Sequence, residues 1–174
     1  MMSDDGEKYY KRLIEPIEQQ MMSIIARIVR DSEDAMDVFN GVLAAVWARL
    51  DKIDKHGNPH AYILRICITH AYDALRDASR RRQKESIAAS QRSNVFVEKN
   101  DNDPVDEQTL NAINSAICQL PHHQAKSLLL RVIENSSFEQ IADILGCSEH
   151  TARSHVSKAK ARLRERLTKQ GIFS

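Results

Sequence analysis

SSFEQIADILGCSEHTARSHVSKAKARLRERL, residues 136–167, is the stretch on which the reading of this 174-residue chain turns. Its spacing predicts two helices joined by a tight turn. Ser136 or Ser137 is placed to cap the first, with Glu139 or Gln140 as the returning third residue of a capping box. Ile141, Ala142 and Leu145 share one face of that helix. Gly146 closes it, because glycine takes the left-handed conformation of a C-terminal cap without steric cost. Ser148 caps the second helix, and Glu149 suits the positive end of its dipole.

The second helix has two faces. Ala152, Val156, Ala159, Leu163 and Leu167 recur at three- and four-residue intervals and predict a buried stripe. Arg153, Ser154, Ser157 and Lys158 lie opposite, with Thr151 and His155 at the edges. Residues 149–170 hold seven Lys/Arg against two Glu, so about five positive charges sit on this helix. A short helix, a glycine turn and a basic second helix with a polar N-terminal half describe a helix-turn-helix reader of the DNA major groove. An ordinary helical hairpin with a solvated basic face is the other reading. The Ala142-x3-Gly146-x5-Ala152 spacing favours DNA.

Outside this motif, 42% apolar residues with five Gly, four Pro and few aromatics favour an all-α protein over a sheet protein. Net charge is only +1, so the molecule as a whole is no indiscriminate binder of polyanions. The charge is instead blocked. Residues 76–84 carry five basic groups against one Asp, and residues 94–107 carry five acidic groups against one Lys. Cys67, Cys118 and Cys147 are odd in number and widely spaced, without Cys/His ligand spacing, and Cys67 and Cys147 sit in apolar helical contexts, which predicts buried free thiols rather than a metal site or disulfides. Gly57 and Pro59 separate His56 from His60, and the adjacent His122 and His123 point different ways on a helix. No cofactor is expected. No signal peptide or membrane-length apolar run is visible, so a cytoplasmic location and no membrane insertion are expected. No phosphate loop, nucleophile elbow or paired-carboxylate motif is present, and catalysis is not expected.

Along the chain, Ile14, Ile17, Met21, Ile24 and Ile28 predict a first helix, with Pro16 in its first turn. Asp31, Ser32, Glu33 and Asp34 open a second, burying Ala35, Val38, Val42, Val46 and Leu50 beside Phe39, Leu43 and Trp47. Residues 51–59 read as a turn broken by Gly57, Asn58 and Pro59. A third helix over residues 60–82 is apolar on nearly all sides of its first half, which predicts central burial. It ends in Arg76, Arg80, Arg81 and Arg82, read either as a solvated terminus suited to the dipole or as a phosphate-contacting patch. The expected architecture is two small helical domains, residues 9–83 and 109–170, joined by a flexible linker over residues 84–108, with a short helix near residues 87–91. That linker spans roughly 80 Å when extended, enough for two modules to reach separate DNA elements. Beyond it, Leu110, Ile113 and Leu120 mark a fourth helix. A fifth starts at Pro121 and turns Ala125, Leu128, Leu129 and Val132 inward.

Taken together these residues resemble a bacterial RNA polymerase sigma factor of the extracytoplasmic-function (ECF) group. Leu120-Pro121, Phe138-Glu139-Gln140-Ile141-Ala142, Leu145-Gly146-Cys147-Ser148, Thr151 and Ala159-Lys160-Ala161-Arg162-Leu163-Arg164 follow the family's fourth conserved region. The resemblance implies that His150, Thr151, Arg153, Ser154, Ser157 and Lys158 contact the upstream, minus-thirty-five promoter element. The N-terminal half resembles the second conserved region. Asp37, with Phe39 and Asn40, stands where the family docks on RNA polymerase core. Met36 and the Asn40-Gly41 pair replace the family's Glu and Gln-Glu. Tyr62, Thr69, Asp73, Arg76, Arg80 and Arg81 fall on the helix that the family uses to capture the downstream, minus-ten element. There Tyr62-Ile63 stands for the usual Trp-Leu and Ile68-Thr69 for Arg-Asn. The resemblance implies core polymerase, promoter DNA and an anti-sigma factor as partners, and promoter-directed initiation as function. A sigma mimic without initiating activity, or a helix-turn-helix regulator of the LuxR type, is the alternative.

Overall fold

The computed structural model describes residues 4–90 and 107–172, and every regular element among them is helical. Helix α1 (Asp4–Tyr9) runs through a π-helical turn at Tyr10–Ile14 and a 3-10 turn at Glu15–Ile17 into α2 (Glu18–Val29). Pro16 sits in the 3-10 turn, where its missing N–H leaves no bond unmade. Ile14, Ile17, Met21, Ile24 and Ile28 are all buried, as the period of the first helix predicts, and Leu13 and Ile25 are buried beside them. Arg30 leaves α2 with φ 66°, and Asp31 then caps α3 (Ser32–Trp47) by accepting from the N–H groups of Glu33 and Asp34. Leu50 is not part of α3 but opens a short α4 (Leu50–Asp54), so the expected turn over residues 51–59 begins with one more helical turn.

Helix α5 (Pro59–Ser90) starts with proline in its first turn, and Asn58 Oδ1 accepts from the Ala61 N–H at 3.1 Å. Ile63, Cys67, Ile68 and Ala71 are fully buried where α5 packs against α2 and α3, the central position expected for it. Its far end differs from expectation. The helix does not stop at Arg82 but continues through Ser90, into the first part of the expected linker. Gln83-Lys84-Glu85-Ser86-Ile87-Ala88-Ala89 holds no glycine or proline, so an established helix propagates at little cost per residue. Residues 91–106, the remainder of that linker up to α6, lie outside the described residues.

The C-terminal half comprises α6 (Glu107–Cys118), α7 (His122–Ile133), α8 (Phe138–Leu145) and α9 (Glu149–Lys169), with α9 packed on α6, α7 and α8. Helix α7 buries Ala125, Leu128, Leu129 and Leu130. Val132, expected inward, is 62% exposed. It shares a face with the buried Ala125 and Leu128, but it stands in the last turn of α7, where that face is no longer covered.

The two halves pack directly on each other. Buried residues of both belong to one continuous apolar cluster. Helix α2 meets the end of α7, where Ser23 Oγ donates to Glu134 Oε1 (3.3 Å) and Arg27 donates to the Ile133 carbonyl. Helix α5 meets α6, α7 and α8. There the buried Tyr72 hydroxyl lies 3.4–3.5 Å from the carbonyl oxygens of Ile117, Cys118 and Leu120. Ile117 and Cys118 form the end of α6 and Leu120 lies just past it, where the helical N–H donors run out. Burial pushes the Tyr72 hydroxyl up to about 12, so it stays a neutral donor.

Candidate nucleic-acid and polymerase interfaces

In the α8–α9 unit the local chemistry of the sequence is carried out residue by residue. Ser137 is the cap, Gln140 the returning partner. The Gln140 N–H donates to Ser137 Oγ (3.1 Å) and the Ser137 N–H donates to Gln140 Oε1 (2.8 Å). Gly146 closes α8 at φ 67°, ψ 45°, a left-handed conformation that a side chain would strain. Ser148 then caps α9, accepting from the Thr151 N–H at 3.1 Å. Of the predicted stripe Ala152, Val156, Ala159 and Leu167 are buried, and Leu163 is half-buried against the core.

The opposite face is open. His150, Arg153, Ser157 and Lys158 are exposed, while Thr151 and Ser154 are half-buried at its margin. Arg153 is held in place. Its guanidinium lies 4.4 Å from the centre of the Phe138 ring and donates to Glu149 at 2.8 Å, while Arg131 lies 5.0 Å from the same ring. His155 turns away from this face and stacks on His123 of α7, 5.9 Å between centroids.

On α5, residues 62, 69, 73, 76 and 80 step by seven, four, three and four, which sets Tyr62, Thr69, Asp73, Arg76 and Arg80 along one face. Tyr62 and Thr69 line a cleft of about 220 Å³ together with Arg49, Arg65, Ile66 and His70. The structure does not leave the whole face free. Lys126 of α7 donates to Thr69 Oγ1 (3.0 Å), and Arg76 donates to His122 Nε2 (2.6 Å). Asp73, Arg80 and Arg81 remain exposed, with Arg80 3.9 Å from Asp77. Tyr72 was not among the residues expected to matter, yet it is the most deeply set member of this stripe. Its position, three after Thr69 and four before Arg76, carried the signal.

Helix α3 presents Asp37 and Asn40 to solvent beside Met36, which is 50% exposed. Phe39, expected on the same docking surface, is corrected by its burial: only 7% is exposed. Its spacing of four from Ala35 and three from Val42 puts it in the core stripe, so it supports the outer face from beneath. Gly41 lies mid-helix, and a Cβ there would meet only His70 Nδ1 at 3.6 Å, an ordinary contact. All three cysteines are free, Cys67 buried and Cys118 and Cys147 half-buried. Among the described residues no three His, Cys, Asp or Glu converge as metal ligands, and no helix is long and apolar enough to cross a membrane.

The family model for Sigma-70 region 2 matches residues 13–81, and that for Sigma-70, region 4 matches residues 110–163. The RNA polymerase sigma-E factor of Streptomyces antibioticus is 30% identical over 140 residues, covering 80% of this chain and 74% of the relative. RNA polymerase sigma-H factor of Pseudomonas aeruginosa is 23% identical over 162 residues, covering 88% and 83%. Among solved structures, the sigma factor RpoE of Bartonella quintana, in complex with the anti-sigma factor NepR, is similar in fold. Its TM-score is 0.52 at 23% identity, over 92% of this chain and 98% of that one. The capped α8–α9 reader, the long α5 with its one-sided polar stripe and these matches converge: the chain belongs to the RNA polymerase sigma factors, in the extracytoplasmic-function group.

Proposed function

We propose the following division of labour for a sigma factor that directs promoter-specific transcription. The open face of α9 reads the upstream promoter element, with His150, Thr151, Arg153, Ser154, Ser157 and Lys158 toward bases and phosphates. The observation that carries this is Arg153 itself: an exposed guanidinium held over Phe138 and tied to the exposed Glu149. An exposed pair four apart on a helix is worth about 0.3–0.5 kcal/mol, so a guanine or phosphate displaces Glu149 at little cost. Phe138 meanwhile keeps the guanidinium in place.

The face of α5 takes the downstream element after strand opening. Tyr62 offers a ring on which an exposed base can stack. Arg80 and Arg81 supply phosphate contacts, and Thr69, Asp73 and Arg76 line the path between. Asp37 and Asn40 dock on core polymerase, with Phe39 shaping that surface from within. Residues 9–83 and 109–170 act as the two promoter-reading modules, and the chain spanning 84–108 joins them. An anti-sigma protein is the expected repressor, the protein works in the cytoplasm beside polymerase, and it has no catalytic site of its own.

The test is holoenzyme assembly with core polymerase followed by promoter-dependent transcription. Asp37→Arg is expected to abolish assembly while upstream-element binding by the free chain is unchanged. The reversal buries a charge without a partner, at a cost of several kcal/mol. Unaltered assembly in Asp37→Arg contradicts the docking assignment.

A further inference from the structure

Helix α7 begins unusually for a helix packed against an arginine-bearing neighbour. Pro121 precedes it, no side chain caps it, and its first turn holds no Asp or Glu. His122 and His123 occupy that first turn instead, at the positive end of the helix dipole. His122 faces α5. Arg76 Nη1 lies 2.6 Å from His122 Nε2, and the His122 ring stands edge-on to Tyr72 with centroids 5.3 Å apart. A guanidinium has donors only, so this contact requires Nε2 to be the acceptor and the ring to be neutral.

The charges around it are mostly of one sign. From α5 come Arg76 and, against the trend, the carboxylate of Asp73; from α7 itself come Lys126 and His123. Lys126 is in turn close to Arg65 of α5. His123 stacks on His155 of α9, whose Nδ1 is buried without a hydrogen-bond partner and which lies near Lys158.

We infer that the α6–α7 corner is a proton-sensitive clasp over the downstream-strand face of α5, shut while His122 is neutral and released when it gains a proton. Shut, it ties up Arg76 through His122 and Thr69 through Lys126, and it seats Tyr72 on the end of α6. A proton on His122 turns its acceptor into a donor facing a guanidinium, and the hydrogen bond becomes a contact between two cations. The sign follows from the surroundings. Loss of water around the ring and the charges of Arg76 and Lys126 pull His122 below its ordinary 6.5, with Asp73 opposing. The closed chain therefore binds fewer protons than the open one. Closure is fully supported above about pH 6.5 and is weakened by up to about tenfold per pH unit below it for each proton taken up. His155 is shifted the same way, by loss of water and by His123 and Lys158, but within the contact between α7 and α9.

That the covered face binds DNA rests on the reading of α5 above, so the test separates the two. Histidine-resolved NMR on the full-length chain follows His122 and the amides of Thr69, Tyr72 and Arg76 from pH 8 to 5.5. The expected result is a His122 midpoint below 6.5, with the three α5 amides moving in the same transition. His122→Gln keeps an acceptor but takes no proton, so its α5 amides should hold their pH 8 positions throughout. His122→Arg, a permanent cation, should show the open positions already at pH 8. A midpoint at or above 6.5, α5 amides that ignore it, or opening of His122→Gln at the wild-type pH overturns the clasp. At pH 5.5 the wild-type chain should also hold a single-stranded oligonucleotide about tenfold more tightly than His122→Gln. Equal affinity, in a chain that has opened by NMR, leaves the clasp standing and overturns the DNA reading of α5.

Discussion

The two faces assigned to DNA sit on the two longest helices and differ in one respect. The face of α9 is open in the free chain, and that of α5 is half covered by the chain's own C-terminal module. On α9 the ties are local: Arg153 to Glu149 four residues away, Thr151 to the Ser148 cap three away. On α5 they are distant, Thr69 to Lys126 and Arg76 to His122, 57 and 46 residues apart. A face held by local ties is ready before its partner arrives. One held by tertiary ties must be freed, so its affinity carries the cost of opening.

This difference can be broken from either side, and the largest effect is on the open face. Ile141→Ala removes a fully buried side chain from the α8–α9 joint and is expected to cost about 2–5 kcal/mol in denaturant unfolding. Upstream-element binding should fall with it. Next, Arg153→Ala should relax preference at one base pair by about 1–3 kcal/mol if the guanidinium reads a guanine. If it meets phosphate, Arg153→Ala and Lys158→Ala should each lower the salt slope of binding by about one. Unchanged salt slope and base preference in both variants contradict the α9 assignment.

The covered face is probed by a subtler change. Tyr72→Phe removes the hydroxyl shared among the α6 carbonyls, expected to cost about 0.5–1.5 kcal/mol. The loss should appear as easier separation of the halves by hydrogen exchange, with upstream binding unaffected. The smallest effect is a control outside both faces. Gly41→Ala should raise stability by about 0.5–1 kcal/mol in thermal unfolding, since its Cβ makes only an ordinary contact with His70. It should alter neither DNA face.

The same split explains what was legible in the sequence. The capping box, the Gly146 stop, the Ser148 cap and the buried stripe of α9 all arise from neighbours within four residues, and each is found where its spacing puts it. The core stripes of α2 and of α5's first half were equally readable. Phe39 and Val132 differ from expectation because periodicity identifies a face without telling how wide or how long a stretch of it the neighbours bury; Phe39 falls within the core stripe of α3, and Val132 stands on the buried face of α7 but in its uncovered last turn. The end of α5 was set too early because the arginine run looked like a terminus, while the residues after it contain no helix breaker. That Tyr72 and His122 meet was out of reach for another reason. Nothing local predicts that residues 72 and 122 meet; that contact exists only because α5 and α7 pack together.

Hydroxyl-radical footprinting of the free full-length chain at pH 8 tests the open-and-covered account most directly. Tyr72, buried under the α6–α7 corner, should be protected, while half-exposed Tyr62 on the same helix and exposed His150 at the head of α9 react freely. Tyr72 oxidised as fast as Tyr62 would show that the C-terminal module does not cover α5, and would contradict the account.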